Sequence, residues 1–202
     1  SMPLGLAGIY GLGDEIAPEA HRTAFAEQRS RVAADYRARR VYAACNSEKG
    51  AGGSLASTQA FAARQSDGTF VLSGEKILAS AGRNAATFFS SAKVSADELP
   101  GAGVVEFFLV DVASKGVEVS NDWDGFGMRP TESHTVRYDK ARAKGIVGFP
   151  DFVNLAQPLE YWFCLFAAIP LGCAKAILRA MASPAPQSPA LRLRLAEATM
   201  RY

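Results

Sequence analysis

Asp67-Gly68-Thr69-Phe70-Val71-Leu72-Ser73-Gly74-Glu75-Lys76 is the stretch on which the fold turns. Asp67-Gly68 is a turn signal, residues 69–72 are a β-branched and aromatic run, and Ser73-Gly74 marks a tight corner before a second strand. The same alternation extends in both directions. Runs rich in β-branched and aromatic residues occupy 41–45, 59–64, 87–94, 104–111, 116–120 and 134–138. Leu99-Pro100-Gly101, Asn121-Asp122 and Arg129-Pro130 punctuate them. A string of short strands with regular turns predicts an antiparallel sandwich or barrel.

Helical sequence flanks this β-zone. Residues 18–40 are rich in Ala, Arg and Glu, with Phe25, Val32 and Tyr36 at roughly helical spacing and Pro18 near the start. Arg37, Arg39 and Arg40 suit the negative pole of that helix. Gly11-Leu12-Gly13 reads as a turn. After the β-zone, residues 154–182 predict one long apolar helix, closed by Ser183-Pro184-Ala185-Pro186. A further helix starts at Ser188-Pro189 and carries Leu191, Leu195 and Ala198 on one face. The expected class is α+β: a partial N-terminal helical segment over 1–40, a β-barrel or sandwich middle domain over 41–149, and the truncated start of a C-terminal helical bundle over 150–202.

Composition narrows the function. In 202 residues, 49% are apolar and 21% charged, enough to bury a core and too apolar for a disordered chain. Twenty-two basic residues face 20 acidic ones, spread along the chain, so no basic footprint for nucleic acid exists. Cys45, Cys164 and Cys173 form no CxxC pair, and His21 and His134 are the only histidines. A structural zinc site needs about four such ligands, so no metal is expected. Reduced, buried thiols in a cytoplasmic protein are the expected reading. The uncharged stretch 161–174 is shorter than the roughly 20 residues that span a bilayer, so no membrane partner is expected.

The sequence lacks a GxSxG elbow, an HExxH motif and a Walker loop. His134, between Ser133 and Thr135 in a predicted strand, reads as a structural or surface histidine. Asn46-Ser47-Glu48-Lys49-Gly50-Ala51-Gly52-Gly53-Ser54 follows a strand; its glycines allow close approach of the backbone, and its amides and hydroxyls suit either a phosphate nest or a plain turn.

Taken together, residues 46–54, residues 67–76 and Ser80-Ala81-Gly82 resemble the middle domain of the acyl-CoA dehydrogenase superfamily. That family runs T-E-P-G-A-G-S-D, then D-G-x-[YF]-x-[LI]-x-G-x-K, then W-I-T-[NS]-G. Downstream, Trp123-Asp124-Gly125-Phe126-Gly127-Met128-Arg129-Pro130-Thr131-Glu132-Ser133, then Val136-Arg137-Tyr138-Asp139, then Val147-Gly148 look like its further motifs. The resemblance covers 28–148 continuously.

It implies FAD held between the β-domain and the C-terminal helices. Carried over by position, Asn46, Ser47, Gly52 and Gly53 meet the pyrimidine ring and pyrophosphate, and Ser54 supplies a phosphate-facing hydroxyl by a one-residue shift. Leu78, Ala79 and Ser80 flank the isoalloxazine ring, Ser80 as a hydrogen-bonding group and Leu78 as an apolar contact. Lys49 replaces the family's Pro and Leu78 its Trp. The implied reaction is FAD-dependent dehydrogenation of a CH–CH bond in an acyl thioester, by a homo-oligomer, with an acyl-CoA or related substrate. The base is expected beyond Tyr202, so no catalytic residue is assigned; Glu160 and Glu197 read as solvated helix positions. Two other readings stand beside it: a reduced-flavin monooxygenase of the same superfamily, and a non-catalytic β-domain that binds a partner.

Overall fold

A computed structural model describes residues 2–51, 54–182 and 188–201. Its elements run α1 (Met2–Gly13), α2 (Arg22–Arg37), β1 (Tyr42–Cys45), β2 (Phe61–Arg64), β3 (Phe70–Ala79), β4 (Thr87–Ala92), β5 (Glu106–Asp111), β6 (Val117–Val119), β7 (His134–Ile146), α3 (Phe152–Ala156), α4 (Leu159–Ala182) and α5 (Pro189–Arg201). They fall into two compact units, residues 1–158 and residues 159–202.

The first unit is built on a seven-stranded sheet ordered β1-β4-β5-β7-β3-β2, with β6 on β7. All pairs are antiparallel except β1 and β4, which run parallel. That pair departs from the all-antiparallel expectation: a long connection through the glycine-rich loop, β2 and β3 returns the chain in the same direction. A parallel bridge between Phe61 and Lys93 brings β2 against the end of β4, so the path curls back on itself like a barrel. Inside lie Leu72, Phe88, Phe108, Val110, Val136, Tyr138 and Ala141, all fully or almost fully buried. Phe and β-branched residues on the inward phase explain that core.

Two strands differ from expectation. The corner placed at Ser73-Gly74 is a register shift inside one continuous strand, β3. Gly74 sits there at φ +139°, and a Cβ on it would lie 2.7 Å from Ala60. β7 runs well beyond residue 138, because Lys140 at φ +50° lets the strand change phase from Tyr138 to Ala141 and Ala143 and continue on β5.

The helices of this unit pack through aromatic rings. Tyr10 and Phe25 lie 5.1 Å apart, as do Phe25 and Phe152. Gln28 ties the cluster to the end of the β-zone: it donates to the Gly148 carbonyl at 3.2 Å and accepts from the Gly148 amide at 2.9 Å. Gly11-Leu12-Gly13 is helix rather than a turn. The glycines hide a helical pattern, Leu6, Ile9 and Tyr10, all fully buried.

The helix expected over 154–182 is two helices. Gln157, at φ +44° before Pro158, breaks it, as a residue preceding proline is disfavoured in helical conformation. In the second unit, α4 continues through Pro170 and past Lys175. By length and composition the helix over Glu160–Ala182 meets the requirement for crossing a membrane, unlike the shorter stretch considered from sequence; apolar helices of soluble proteins meet it too.

Candidate functional site

Three segments of the first unit converge around the residues the sequence singles out. The loop after β1 opens with Asn46, whose carboxamide oxygen accepts the Ser91 amide of β4 at 2.9 Å. Ser47 is exposed, and its carbonyl accepts the Ile77 amide of β3 at 2.8 Å. Ser54 is exposed at the loop's far side. Gly52 and Gly53 lie outside the described residues.

Leu78 and Ala79 end β3 and Ser80 follows it, with alternating exposure: Ala79 is buried in the barrel, while Leu78 and Ser80 face out. The alternation follows from a second register shift, between Lys76 and Ala79. Leu78 carries it at φ +58°, a left-handed conformation that costs a non-glycine residue about 1–2 kcal/mol. Its side chain is 52% exposed. An apolar side chain held outward at that cost is a candidate ligand contact.

Residues 128–134 complete the face. The Ala81 amide donates to the Thr131 carbonyl at 2.6 Å. Ser80 Oγ lies 2.9 Å from Ser133 Oγ, which lies 2.8 Å from Thr131 Oγ1, which donates to the Met128 carbonyl at 2.8 Å. A carbonyl only accepts, so the row has a direction. Thr131 gives its hydrogen to Met128, Ser133 gives to Thr131, and Ser80 gives to Ser133. Ser80 therefore offers outward an oxygen that accepts.

His134 is structural. Its Nδ1 accepts the amides of Asp122 at 3.1 Å and Trp123 at 3.0 Å, which leaves the hydrogen on Nε2, facing Glu132 at 3.4 Å.

A buried ion pair beneath the loop was not singled out from sequence. Lys76 is fully buried and Glu48 nearly so, with Nζ 2.5 Å from Oε1. Glu48 also accepts the amides of Gln59 at 2.5 Å and Ala60 at 3.1 Å. Burial pushes the Glu48 carboxyl up, but the Lys76 ammonium and the two amides pull harder and hold it below its ordinary value. Burial draws the Lys76 ammonium down, with Glu48 opposing. The signal was legible: Lys76 shares the inward phase of Phe70 and Leu72, where a lysine needs a partner. Among the described residues, no group of His, Cys, Asp and Glu is arranged to hold a metal.

The exposed hydroxyls of Ser47, Ser54 and Ser80 and the outward Leu78 present polar and apolar contacts of the kinds a flavin nucleotide offers. The accepting oxygen of Ser80 suits an N–H of such a ring.

Residues 43–141 match the family model described as acyl-CoA dehydrogenase, middle domain. Residues 43–141 thus belong to the acyl-CoA dehydrogenase superfamily. Butyryl-CoA dehydrogenase from Megasphaera elsdenii superposes with a TM-score of 0.70 at 18% identity, over 87% of this chain and 49% of that one. A probable acyl CoA dehydrogenase from Mycobacterium abscessus gives 0.63 at 23%, over 87% and 50%. TdsC from Paenibacillus sp. A11-2, solved with FMN and indole, gives 0.57 at 25%, over 74% and 35%. The chain thus spans between about a third and a half of the length of these relatives. No curated protein matches the sequence significantly.

Proposed function

We propose that this chain is the flavin-binding part of an FAD-dependent, acyl-CoA dehydrogenase-like oxidoreductase acting on a CH–CH bond of an acyl thioester. The observation that carries the reading is the pairing of Ser80, with its outward accepting oxygen, and Leu78, held outward in a left-handed conformation. Both stand where the family resemblance puts the isoalloxazine ring. Flavin, when bound, supplies the redox chemistry by taking up a hydride. This chain's residues bind and orient it: Ser47 and Ser54 by hydroxyl contacts to the nucleotide, Ser80 by accepting from the ring, Leu78 by covering it. Gly52 and Gly53 complete the loop by position. The base that takes the substrate's α-proton is assigned to no residue of this chain. A cytoplasmic homo-oligomer is the expected state of the whole protein.

Purified chain is mixed with FAD or FMN, desalted and scanned for visible flavin absorbance. Retention of the colour supports the reading; a colourless protein after both additions overturns it.

A second reading is favoured by Leu78 in place of the family's Trp and by the likeness to TdsC, whose structure holds an aromatic molecule rather than a thioester. It is a reduced-flavin monooxygenase. Turnover of acyl-CoA with an electron-acceptor dye supports dehydrogenation, and NADH- and O2-dependent hydroxylation with a flavin reductase supports the alternative.

A further inference from the structure

Glu48 and Lys76 join three pieces of chain. Glu48 belongs to the glycine-rich loop, Lys76 to β3, and Ser91, 3.1 Å from Lys76 Nζ, to β4. The Glu48 carboxylate gathers the amides of Gln59 and Ala60, so it fixes both the start of the loop and the place where the chain leaves it. Gly74 permits the second of these, since any Cβ there would collide with Ala60. Ser91 in turn holds Asn46, with its amide on the Asn46 carboxamide oxygen at 2.9 Å and its hydroxyl on the Asn46 carbonyl at 3.5 Å. The Ile77 amide, next to Lys76, holds the Ser47 carbonyl.

An apolar pair of similar volume generally supports a core as well as a buried ion pair does, because desolvation offsets the attraction. Two leucine-like side chains would therefore keep the barrel. They would not collect two amides, an ammonium and a hydroxyl at one point. We infer that the buried Glu48–Lys76 pair is a positioning device, which locks the start of the glycine-rich loop onto β3 so that Asn46, Ser47 and Leu78–Ser80 form one preorganised flavin-binding face. The ligand in this inference rests on the flavin reading; the coupling of loop to strand does not.

The test uses the full chain and the double variant Glu48→Leu/Lys76→Met. A control, Phe25→Leu, loosens the aromatic cluster away from the loop. Thermal melts, FAD binding by flavin fluorescence and amide hydrogen exchange are followed in all three. The double variant keeps a cooperative melt, binds FAD about tenfold more weakly, and exchanges the Ile77, Gln59 and Ala60 amides faster. The control melts earlier with its FAD affinity and those amides unchanged. If the double variant does not fold, Ser91→Ala takes its place, with an expected weakening of about threefold and faster exchange at Ile77. Unchanged affinity and unchanged exchange in a folded variant overturn the inference. If the parent chain binds neither FAD nor FMN, the flavin reading fails, and exchange alone decides the coupling: unaltered protection at Ile77 and Ala60 overturns it, accelerated exchange upholds it.

Discussion

Ser80 Oγ stands 2.9 Å from Ser133 Oγ, and the direction of that hydrogen bond is set two residues further along, at the Met128 carbonyl. The chain thereby decides what Ser80 shows to a ligand. Ser80→Ala removes an exposed hydroxyl and with it the donor to buried Ser133, so it lowers stability by about 1 kcal/mol and weakens flavin binding about fivefold, the worth of a similar energy for one hydrogen bond. Ser133→Ala deprives half-buried Thr131 of its donor and lowers stability by about 1 kcal/mol. Isothermal binding and denaturant melts check both.

Leu78 pays for its left-handed backbone. Leu78→Gly releases about 1–2 kcal/mol of strain and gives back about half of it through the freer unfolded chain, so stability stays level or rises slightly. Flavin retention falls in the same variant. A stable protein that no longer holds flavin marks the residue as a contact; a variant that still holds it equally well removes Leu78 from the site.

The Glu48 carboxyl, held below its ordinary value, contributes stability that is full above the ordinary carboxylate range and is lost as pH falls through the lowered value. Acid therefore unfolds the parent progressively below about pH 4. Glu48→Gln is less stable at neutral pH by about 3 kcal/mol and shows a flatter stability profile in acid, read by urea melts across the pH series.

Burial pushes the Cys45 thiol up to about 12, while Cys164 and Cys173 are exposed. The thiolate is the reactive form. A thiol reagent at neutral pH labels Cys164 and Cys173 quickly, and Cys45 only after denaturant is added, as mass mapping of the labelled peptides shows.

Two glycines of α1 behave oppositely on substitution. A Cβ on Gly13 would fall 2.4 Å from the Phe152 ring and 2.7 Å from the Phe25 ring, whereas one on Gly11 meets nothing. Gly13→Ala costs about 1–3 kcal/mol through overpacking, and Gly11→Ala gains about 0.5–1 kcal/mol of helix stability. Chemical melts separate them directly.

Much of the β-domain was legible because its strands obey a two-residue period and its turns carry Gly, Pro and Asp. What escaped depended on contacts between distant segments. The parallel partnership of Tyr42–Cys45 with β4 has no local signature. The helix of Met2–Gly13 is masked by its glycines, of which Gly13 makes room for Phe152 and Phe25. The break at Gln157 has a local signal in Pro158, which the sequence reading of one helix over 154–182 does not use. At the site, the family resemblance named Ser47, Ser54, Leu78 and Ser80, which are exposed, along with Ala79, which is buried. It did not reveal the hydroxyl row through Ser133 and Thr131, nor the carboxylate beneath the loop, since both depend on which side chains meet after folding.

β7 carries a consequence for how the chain comes to be folded. It pairs with β3, β5 and β6, and its Arg137 reaches Glu75, 62 residues earlier. During synthesis, β3, β5 and β6 must wait for His134–Ile146 to emerge before they have their common neighbour. Long-range pairing of this kind places folding in the slow, millisecond-to-second range. Until then the nascent chain exposes open strand edges, and a ribosome stalled ahead of His134 would present a template for aggregation rather than half of a barrel.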